Sequence, residues 1–329
     1  MFSYAIKRLL QTLVVVWAAT TLMFALFFII PGDPISLKSG EKALPQSIID
    51  NINAKYGLDK PAYVQYFRFW NNLLHGDLGY SYKNDKSVNQ ILTDGFQTSA
   101  RLLFWGALFQ LIIALTVGLV SAIKRGSLGD KIGTVFTVGI QGIPVFVSGL
   151  LAQYFFGVLP FQLHINWANL YKPWPMEWSF GVIPTSGWQG ILLPAMVVAV
   201  VDAAFIARML RSSLLEVLRA DYIRTAFAKG LSPRRVWFHH ALRNALIPVV
   251  TVYGTSLISI FGVAVQTEKV FSLPGMGSTI ADSALGQDAP VVLGLAIVVI
   301  AFGAIVNLIV DLSYALIDPR IKIDSKVVH

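Results

Sequence analysis

The sequence predicts an all-α membrane protein with six transmembrane helices. Of its 329 residues, 55% are hydrophobic and only 13% are charged, about half of the roughly 25% that a soluble domain carries. Six apolar stretches are long enough to cross the ~30 Å hydrocarbon core of a bilayer as helices. These stretches cover roughly residues 9–30, 100–123, 133–159, 190–217, 245–267 and 290–315.

The first apolar stretch is predicted to be a retained helix rather than a secretory signal. It runs unbroken from Leu9 to Ile30, which is longer than the apolar core of a signal peptide, and no small-residue cleavage site follows it. Pro31 comes next and ends the helix. We therefore assign residues 1–31 to the first transmembrane helix.

Residues 32–97 are predicted to form a small helical subdomain outside the membrane. The segment contains seven Lys or Arg and seven Asp or Glu residues, and it is too long to be a bare connection in a compact protein. Its apolar residues recur at helical spacing in two groups. They are Ile48, Ile52 and Tyr56, then Tyr63, Tyr66, Phe67, Trp70, Leu73 and Leu74. This pattern indicates two or three amphipathic helices lying on the membrane.

The distribution of Lys and Arg predicts the side of the membrane on which each loop lies. Short cytoplasmic loops carry an excess of these residues. With the N-terminus inside, the inner segments hold sixteen Lys or Arg residues, against two in the outer segments once the long 32–97 loop is left out. Both termini, including the tail 319–329, are therefore predicted to be cytoplasmic.

The most basic inner segment, residues 221–248, is predicted to fold as two short helices joined by a sharp turn, and we call it the basic elbow. Gly230 stands where a helix would end in the left-handed conformation that glycine adopts without steric cost. Ser232 and Pro233 then match an N-cap and a first helical residue. Two stripes at helical spacing are predicted, Tyr222, Ala226 and Lys229 upstream, and Val236, His239 or His240, Arg243 and Leu246 downstream. An apolar face with a basic rim is suited to docking onto another protein.

The residue order of the basic elbow resembles the EAA loop of binding-protein-dependent ABC importer permeases, in the form found in oligopeptide and dipeptide permeases. The matching runs are DYIRTA (221–226), AKGL (228–231), HALRN (240–244) and LIP (246–248). The leading glutamate of the general motif is absent, and the spacing from Gly230 to Pro248 is longer than in sugar importers. Both features favour the peptide branch. Similar runs elsewhere are GLDKP (57–61), EKVFSLPGMG (268–277) and YALIDPR (314–320).

This resemblance identifies the chain as a member of the B-type permease subunits of such importers. It implies the type I ABC importer permease fold, also called MetI-like, with residues 98–318 as the core permease domain. It also implies that the basic elbow docks onto an ATPase subunit. The residues expected to make that contact are Asp221, Tyr222, Thr225, Ala226, Lys229, Gly230, Leu231, Arg243, Asn244 and Pro248.

A second group of residues is predicted to line or gate the translocation path. It consists of Asp202, Glu268, Phe271, Pro274, Gly275 and Gly277. A carboxylate within the membrane is costly unless it faces protein or water. For Asp202, a hydrogen bond between helices or a pair with a nearby arginine is an equally good interpretation.

The resemblance implies several partners. The chain contains no G-x-x-x-x-G-K-[ST] run to cradle nucleotide phosphates, so ATP and Mg²⁺ are expected on two partner ATPase subunits, with no cofactor or metal on this chain. The other expected partners are a homologous second permease, an extracytoplasmic solute-binding protein, a peptide substrate and membrane lipid. Nucleic acid is excluded, because the net charge of +8 follows the loops between apolar stretches and does not form a soluble basic face.

The predicted function is that of a permease subunit of an ATP-driven importer of di- or oligopeptides in the bacterial inner membrane, with no catalytic site of its own. Related permeases carry nickel, glutathione or other small solutes, and the sequence leaves these alternatives open. A secondary transporter is a more distant alternative, because it would show inverted repeats and coupling charges within the membrane. No repeat is found.

Overall fold

The computed structural model describes residues 2–29, 60–83, 86–158, 189–286 and 288–317. Within these ranges the chain forms helices joined by turns and contains no β-strand. The prediction of an all-α membrane protein is confirmed. In chain order the helices are α1 (Phe2–Phe24), α2 (Ala62–Leu74), α3 (Val88–Ile123), α4 (Leu128–Gln141), α5 (Val145–Gln153), α6 (Leu192–Val217), α7 (Asp221–Ala228), α8 (Pro233–Arg235), α9 (Leu242–Val270), α10 (Met276–Leu285) and α11 (Ala289–Ile317).

Short helical turns of other types extend several of these helices. Two π-helical turns continue α1 over Ala25–Ile29 and α5 over Tyr154–Val158. A third π-helical segment, Val236–Ala241, joins α8 to α9. A 3-10 turn, Gln189–Ile191, precedes α6.

Five helical runs of the described ranges are long and apolar enough to cross a membrane. They are α1, α3, α6, the run from α8 through α9, and α11. The pair α4 and α5 passes the same test together, although the two helices are bent by 110° at the break between them. Counted as one broken span, this pair brings the total to the predicted six.

The stretch predicted as one span at 133–159 therefore differs from expectation in shape. α4 is capped by Gly142, and α5 begins directly after Pro144. Proline has no amide hydrogen, and its ring clashes with the preceding turn, so a straight helix does not pass through it. The span expected from about residue 100 also differs, since α3 already begins at Val88.

By its packing the chain divides into two units. Among the described residues, the first unit contains 98–158, 189–274 and 306–317. The second contains 2–29, 60–83, 86–97, 275–286 and 288–305. In the first unit, α6 packs against α4, α5 and α9. Many of its buried residues are small, which lets neighbouring helices approach closely. They are Ala195, Ala199, Ala203, Ala204 and Ala207.

Two polar ties connect α4 to α6 within the first unit. The guanidinium of Arg211 donates two hydrogen bonds to the buried Asp130 carboxylate, at 2.9 and 3.0 Å. One turn away on α6, Arg208 donates to the Gln141 side chain and to the carbonyl of Thr137. These ties supplement apolar packing between the two helices.

The second unit contains a small aromatic cluster between α1 and α2. The ring of Phe24 lies 5.5 Å from that of Tyr66 and 5.1 Å from that of Phe69, and the Tyr66 hydroxyl is 2.9 Å from Thr21 Oγ1. The opposite side of α2 is exposed, including Tyr63 and Phe67. The predicted helix at 63–74 is confirmed as α2, and its position on the membrane stays a prediction. The stripe predicted at 48–56 lies outside the described residues.

Candidate functional site: the basic elbow and the loop after α9

The first arm of the basic elbow is α7, which follows α6 after the turn 218–220. Ile223 and Ala226, which are 1% and 6% exposed, pack into the same apolar cluster as Leu210 of α6. The predicted stripe of Tyr222, Ala226 and Lys229 is divided, because Ala226 is buried in the core whereas Tyr222 and Lys229 are exposed. A helix of eight residues is too short for its pattern alone to determine the buried face, and packing beside the π-helical segment in this cluster decides it.

The turn between the two arms is a Schellman motif. Gly230 has a φ of +76°, and its amide donates to the carbonyl of Phe227 at 2.9 Å. The Leu231 amide donates to the carbonyl of Ala226 at 3.4 Å, and both residues belong to one apolar cluster. This pair of bonds and the accompanying apolar contact define the motif. The predicted left-handed glycine is confirmed.

The second arm begins as predicted but continues much further. Ser232 occupies the N-cap position and Pro233 the first helical position, although the Ser232 side chain makes no capping hydrogen bond. From there the helical run continues through α9 to Val270. The prediction of two short helices is therefore wrong for this arm, which is the first part of a membrane span.

The π-helical segment changes which face of the second arm is buried. The buried residues are Val236, Ala241, Ala245 and Val249, so the first interval is five residues and the next two are four. A π turn bonds residue i to i+5 and inserts one extra residue per turn. The predicted stripe of Val236, His239 or His240, Arg243 and Leu246 assumed an unbroken α-helix. It is divided, because Val236 is buried whereas His239 and Arg243 are exposed.

A hydrogen bond between side chains joins the two arms of the basic elbow. The Asn244 side chain donates from Nδ2 to the Tyr222 hydroxyl at 2.8 Å. On the first arm, the Thr225 hydroxyl donates to the carbonyl of Asp221 at 3.0 Å. Pro248 lies within α9, one turn beyond Asn244.

The exposed surface of the basic elbow combines apolar and cationic side chains. Its exposed apolar residues are Tyr222, Phe227, Phe238 and Ile247. Its exposed cations are Arg224, Lys229, Arg234, Arg235 and Arg243. Asp221 pairs with Arg224 at 3.5 Å, but both side chains are almost fully exposed, so the pair contributes little to stability. An apolar patch with a polar rim is typical of protein–protein contact sites.

The predicted path residues on α6 and α9 are largely buried in the chain. Glu268 and Phe271 are 0% exposed, and Ser99 of α3 donates to Glu268 Oε1 at 2.6 Å. Asp202 lies in the middle of α6, and its Oδ2 is buried without a hydrogen bond from the described part of the chain. Their roles in a path remain predictions.

The loop after α9 leads into α10. Pro274 is exposed, whereas Gly275 and Gly277 are buried. The Gly275 amide donates to the Ser278 hydroxyl at 3.1 Å, which caps α10 at its first turn. A Cβ placed on Gly95 of α3 would lie only 2.7 Å from the Met276 amide nitrogen, so this turn requires glycine on α3.

The ion pair of Asp130 and Arg211 was not anticipated from the sequence. A local signal for part of it exists, because Ser127 stands three residues before Asp130 and its hydroxyl accepts from the Asp130 amide at 3.4 Å. That spacing is typical of a helix start. The arginine, however, is far away in sequence, and only packing of α6 on α4 brings it to the carboxylate.

Two family models match the chain over almost its full length. The model described as binding-protein-dependent transport system inner membrane component matches residues 114–323, and the N-terminal model of the same transport components matches residues 1–103. The chain belongs to this family of transport permeases. The basic elbow and all of the spans except residues 104–113 of α3 fall within the matched residues.

Curated relatives of this permease align with it end to end. The di/tripeptide transport system permease protein DppB of Pseudomonas aeruginosa is 38% identical, over 98% of this chain and 99% of the relative. The oligopeptide transport system permease protein OppB of Haemophilus influenzae is 36% identical, over 98% and 100%. The dipeptide transport system permease protein DppB of Escherichia coli K12 is 34% identical, over 98% and 99%. The permease is a multi-pass membrane protein.

Proposed function

We propose that this permease is the membrane subunit of an ATP-driven importer of di- or oligopeptides and that the basic elbow couples it to the ATPase. Its family supports the transport role. Three relatives that align with nearly the whole chain are named as dipeptide, di/tripeptide or oligopeptide permeases, which supports a peptide substrate. A substrate test must distinguish transport of peptides from transport of nickel, glutathione or another small solute.

The observation that carries the coupling role is that α7 exposes apolar side chains while its other face is packed in the core. Ile223 and Ala226 bury one face of α7 in the core, while Tyr222 and Phe227 of the same helix remain exposed. The Schellman turn at Gly230 and the bond from Asn244 to Tyr222 hold α7 against the inner end of α9. A force applied to α7 by a bound subunit would therefore pass to two membrane spans, α6 and α9.

The proposed assembly contains several further subunits. Two ATPase subunits would carry ATP and Mg²⁺ and dock on the basic elbow and on its counterpart in a second, homologous permease. The two permeases would form a heterodimer, since one six-helix subunit does not readily enclose a wide path. The positive-inside count supports an inner-membrane location with both termini in the cytoplasm.

On the outer side we propose a platform for a solute-binding protein and an outer gate. Residues 32–97, the segment 167–188 and the loop 271–277 all lie outside by the positive-inside count, and all are rich in aromatic or apolar residues. Tyr63 and Phe67 of α2 are more than 65% exposed. A specific docking contact would bury on the order of 1,000 Å² across these segments.

The test is uptake of labelled dipeptide by the complete complex in proteoliposomes with internal ATP. Tyr222→Ala and Phe227→Ala should reduce both peptide uptake and co-purification of the ATPase. Leu128→Ala is the matched control, because Leu128 is 77% exposed but lies outside the basic elbow, and this variant should behave like the wild type.

Two outcomes would contradict parts of the proposal. Full uptake by both elbow variants would exclude the docking role of this surface. ATP-dependent uptake of nickel or glutathione, with none of dipeptide or longer peptides, would replace the substrate but retain the coupling.

A further inference from the structure

Three membrane spans of the first unit meet at one level of the structure. A Cβ placed on Gly106 of α3 would lie 3.0 Å from Val198 Cγ1 of α6 and 3.4 Å from Ile260 Cδ1 of α9. Further along, a Cβ on Gly118 would lie 3.0 Å from Leu210 of α6. Gly106 of α3 meets Val198 of α6, and the later residue Gly118 meets the later residue Leu210. The two helices therefore run in the same direction.

One helical turn beyond this level, each of the three helices carries a polar residue. Gln110 of α3 donates from Nε2 to Ser256 Oγ of α9 at 3.0 Å. Ser256 precedes Ile260 by one turn, so α9 runs opposite to α3. On α6, Asp202 lies four positions after Val198, just as Gln110 lies four positions after Gly106 on α3. A step of four residues advances each helix by ~6 Å, so the three polar residues share one layer.

The layer contains two buried acceptors that lack a donor. Gln110 is 0% exposed, and its amide nitrogen donates to Ser256 Oγ. The Ser256 hydroxyl in turn donates to the carbonyl of Tyr253 at 2.8 Å. Gln110 Oε1 and Asp202 Oδ2 are each buried, and neither accepts a hydrogen bond from the described part of the chain. A buried polar atom without a partner is costly. Two acceptors satisfy each other only when one of them carries a hydrogen.

We propose that the Asp202 carboxyl stays protonated and that its O–H donates a hydrogen bond to Gln110 Oε1. This layer would then be a proton-binding site between α6 and α3. The bond would satisfy both acceptors and would remove the charge that is expensive to bury in an apolar span. It would also complete a chain of hydrogen bonds from α6 through Gln110 to Ser256 on α9. This inference does not depend on the transported solute.

The charged and titratable groups on the surrounding helices are consistent with a neutral carboxyl. Those on described side chains are Asp94 and Arg101 of α3, Asp130 and Lys131 of α4, Arg208, Arg211 and Glu216 of α6, and Arg243, Tyr253, Glu268 and Lys269 of α9. The closest along the helices are Tyr253, whose hydroxyl donates to the carbonyl of Ala107 at 2.9 Å, and Arg208, which is bonded to α4. α11 approaches α9 where Val310 meets Gly254, and the neighbouring Asp311 side chain lies outside the described part.

Infrared spectroscopy of the purified full-length chain tests the proton directly. The carbonyl band of a protonated carboxylic acid should be present at neutral pH and should disappear in Asp202→Asn. Gln110→Leu should shift this band to higher frequency, since the hydrogen bond is lost. Asp130→Asn is the control and should leave the band unchanged, because Asp130 is paired with Arg211. A spectrum in which Asp202→Asn removes no acid band would overturn the proposal. That result is expected if Asp202 is an ionised carboxylate that is hydrated by water.

Thermal unfolding of the same chain tests the bond between the two side chains. Asp202→Asn retains a donor of the same shape and should unfold at the wild-type temperature. Asp202→Leu and Gln110→Leu should each lower the midpoint, and the double leucine variant should lower it by less than the sum, because residues in one network are not independent. Additive shifts, or an asparagine variant as unstable as the leucine variant, would overturn the bond.

Discussion

Asn244 and Tyr222 lie 22 positions apart, yet the Asn244 side chain donates to the Tyr222 hydroxyl at 2.8 Å and so links the two arms of the basic elbow. The bond is exposed at both ends, so its contribution to stability is expected at the low end of about 0.5–1.5 kcal/mol. Its value lies in orientation, because it holds α7 against the start of α9. Several tests follow from this arrangement and from the packing around it.

Removing this bond should weaken coupling more than folding. In Tyr222→Phe and in Asn244→Ala, uptake per ATP hydrolysed should fall, while the amount of folded protein in the membrane stays near the wild-type level. Because both variants remove the same bond, the double variant should be no worse than the more affected single one. Tyr154→Phe is the control, since Tyr154 is an exposed tyrosine that lies outside both the elbow and the proposed platform. Unchanged coupling in both single variants would show that the bond is incidental.

Gly230→Val should impair transport through the backbone alone. Gly230 has a φ of +76°, and a Cβ there would meet no atom within 4 Å, so the expected cost is the strain of a left-handed β-branched residue, about 1–2 kcal/mol. Gly126→Val is a close match outside the elbow and the proposed platform, with a φ of +81° and equally open surroundings. Both variants should insert normally, but only Gly230→Val should lose ATP-driven uptake. Equal loss in the two variants would point to general destabilisation.

The ion pair between α4 and α6 should contribute measurably to stability. Asp130→Asn leaves Arg211 without its carboxylate partner, and hydrogen bonds to charged groups contribute about 1.5–3 kcal/mol each before allowance for solvent. Because the Arg211 side chain is 31% exposed, we expect a loss of roughly 1–2 kcal/mol. Asp221→Asn, which breaks the exposed pair with Arg224, should change the unfolding midpoint hardly at all. A double-mutant cycle with Arg211→Lys measures the coupling.

Glycine at position 95 should be required for packing. A Cβ there would lie 2.7 Å from the Met276 nitrogen and 2.8 Å from the Gly275 carbonyl carbon, and these backbone atoms do not yield as a flexible side chain would. Gly95→Ala should therefore lower the thermal midpoint. Gly262→Ala in α9 is the control, since a Cβ there meets nothing within 4 Å and alanine favours a helix by about 0.5–1 kcal/mol. A Gly95→Ala variant as stable as this control would contradict the close approach.

Cysteine labelling can locate the solute-binding-protein platform, because the native chain contains no cysteine. Tyr63→Cys and Phe67→Cys place a thiol on the exposed side of α2 and should be protected from a membrane-impermeant reagent when loaded binding protein is added. Met276 is 3% exposed and is therefore unsuitable for labelling. Undiminished labelling at both α2 positions, with uptake intact, would exclude this part of the platform.

The sequence by itself determined the class of the protein and its strongly local features. Long apolar runs can satisfy their backbone groups within a membrane only as helices or closed barrels, and their length predicted six helical spans. The turn at Gly230 was equally predictable, because a glycine between two helical patterns and before Ser232-Pro233 leaves few alternatives. The order of residues in the elbow also sufficed to recognise the family.

Tertiary structure decided which faces and which distant residues meet. The pattern of α7 allowed more than one buried face, and packing beside the π-helical segment in the core selected Ile223 and Ala226. One extra residue in the π turn at Val236–Ala241 shifted the buried face of the second arm, and such a shift follows from packing rather than from a 3.6-residue period. The pairs of Asp130 with Arg211 and of Gln110 with Ser256 join residues 81 and 146 positions apart. Only helix packing brings such groups within hydrogen-bonding distance, because local sequence acts over a few turns at most.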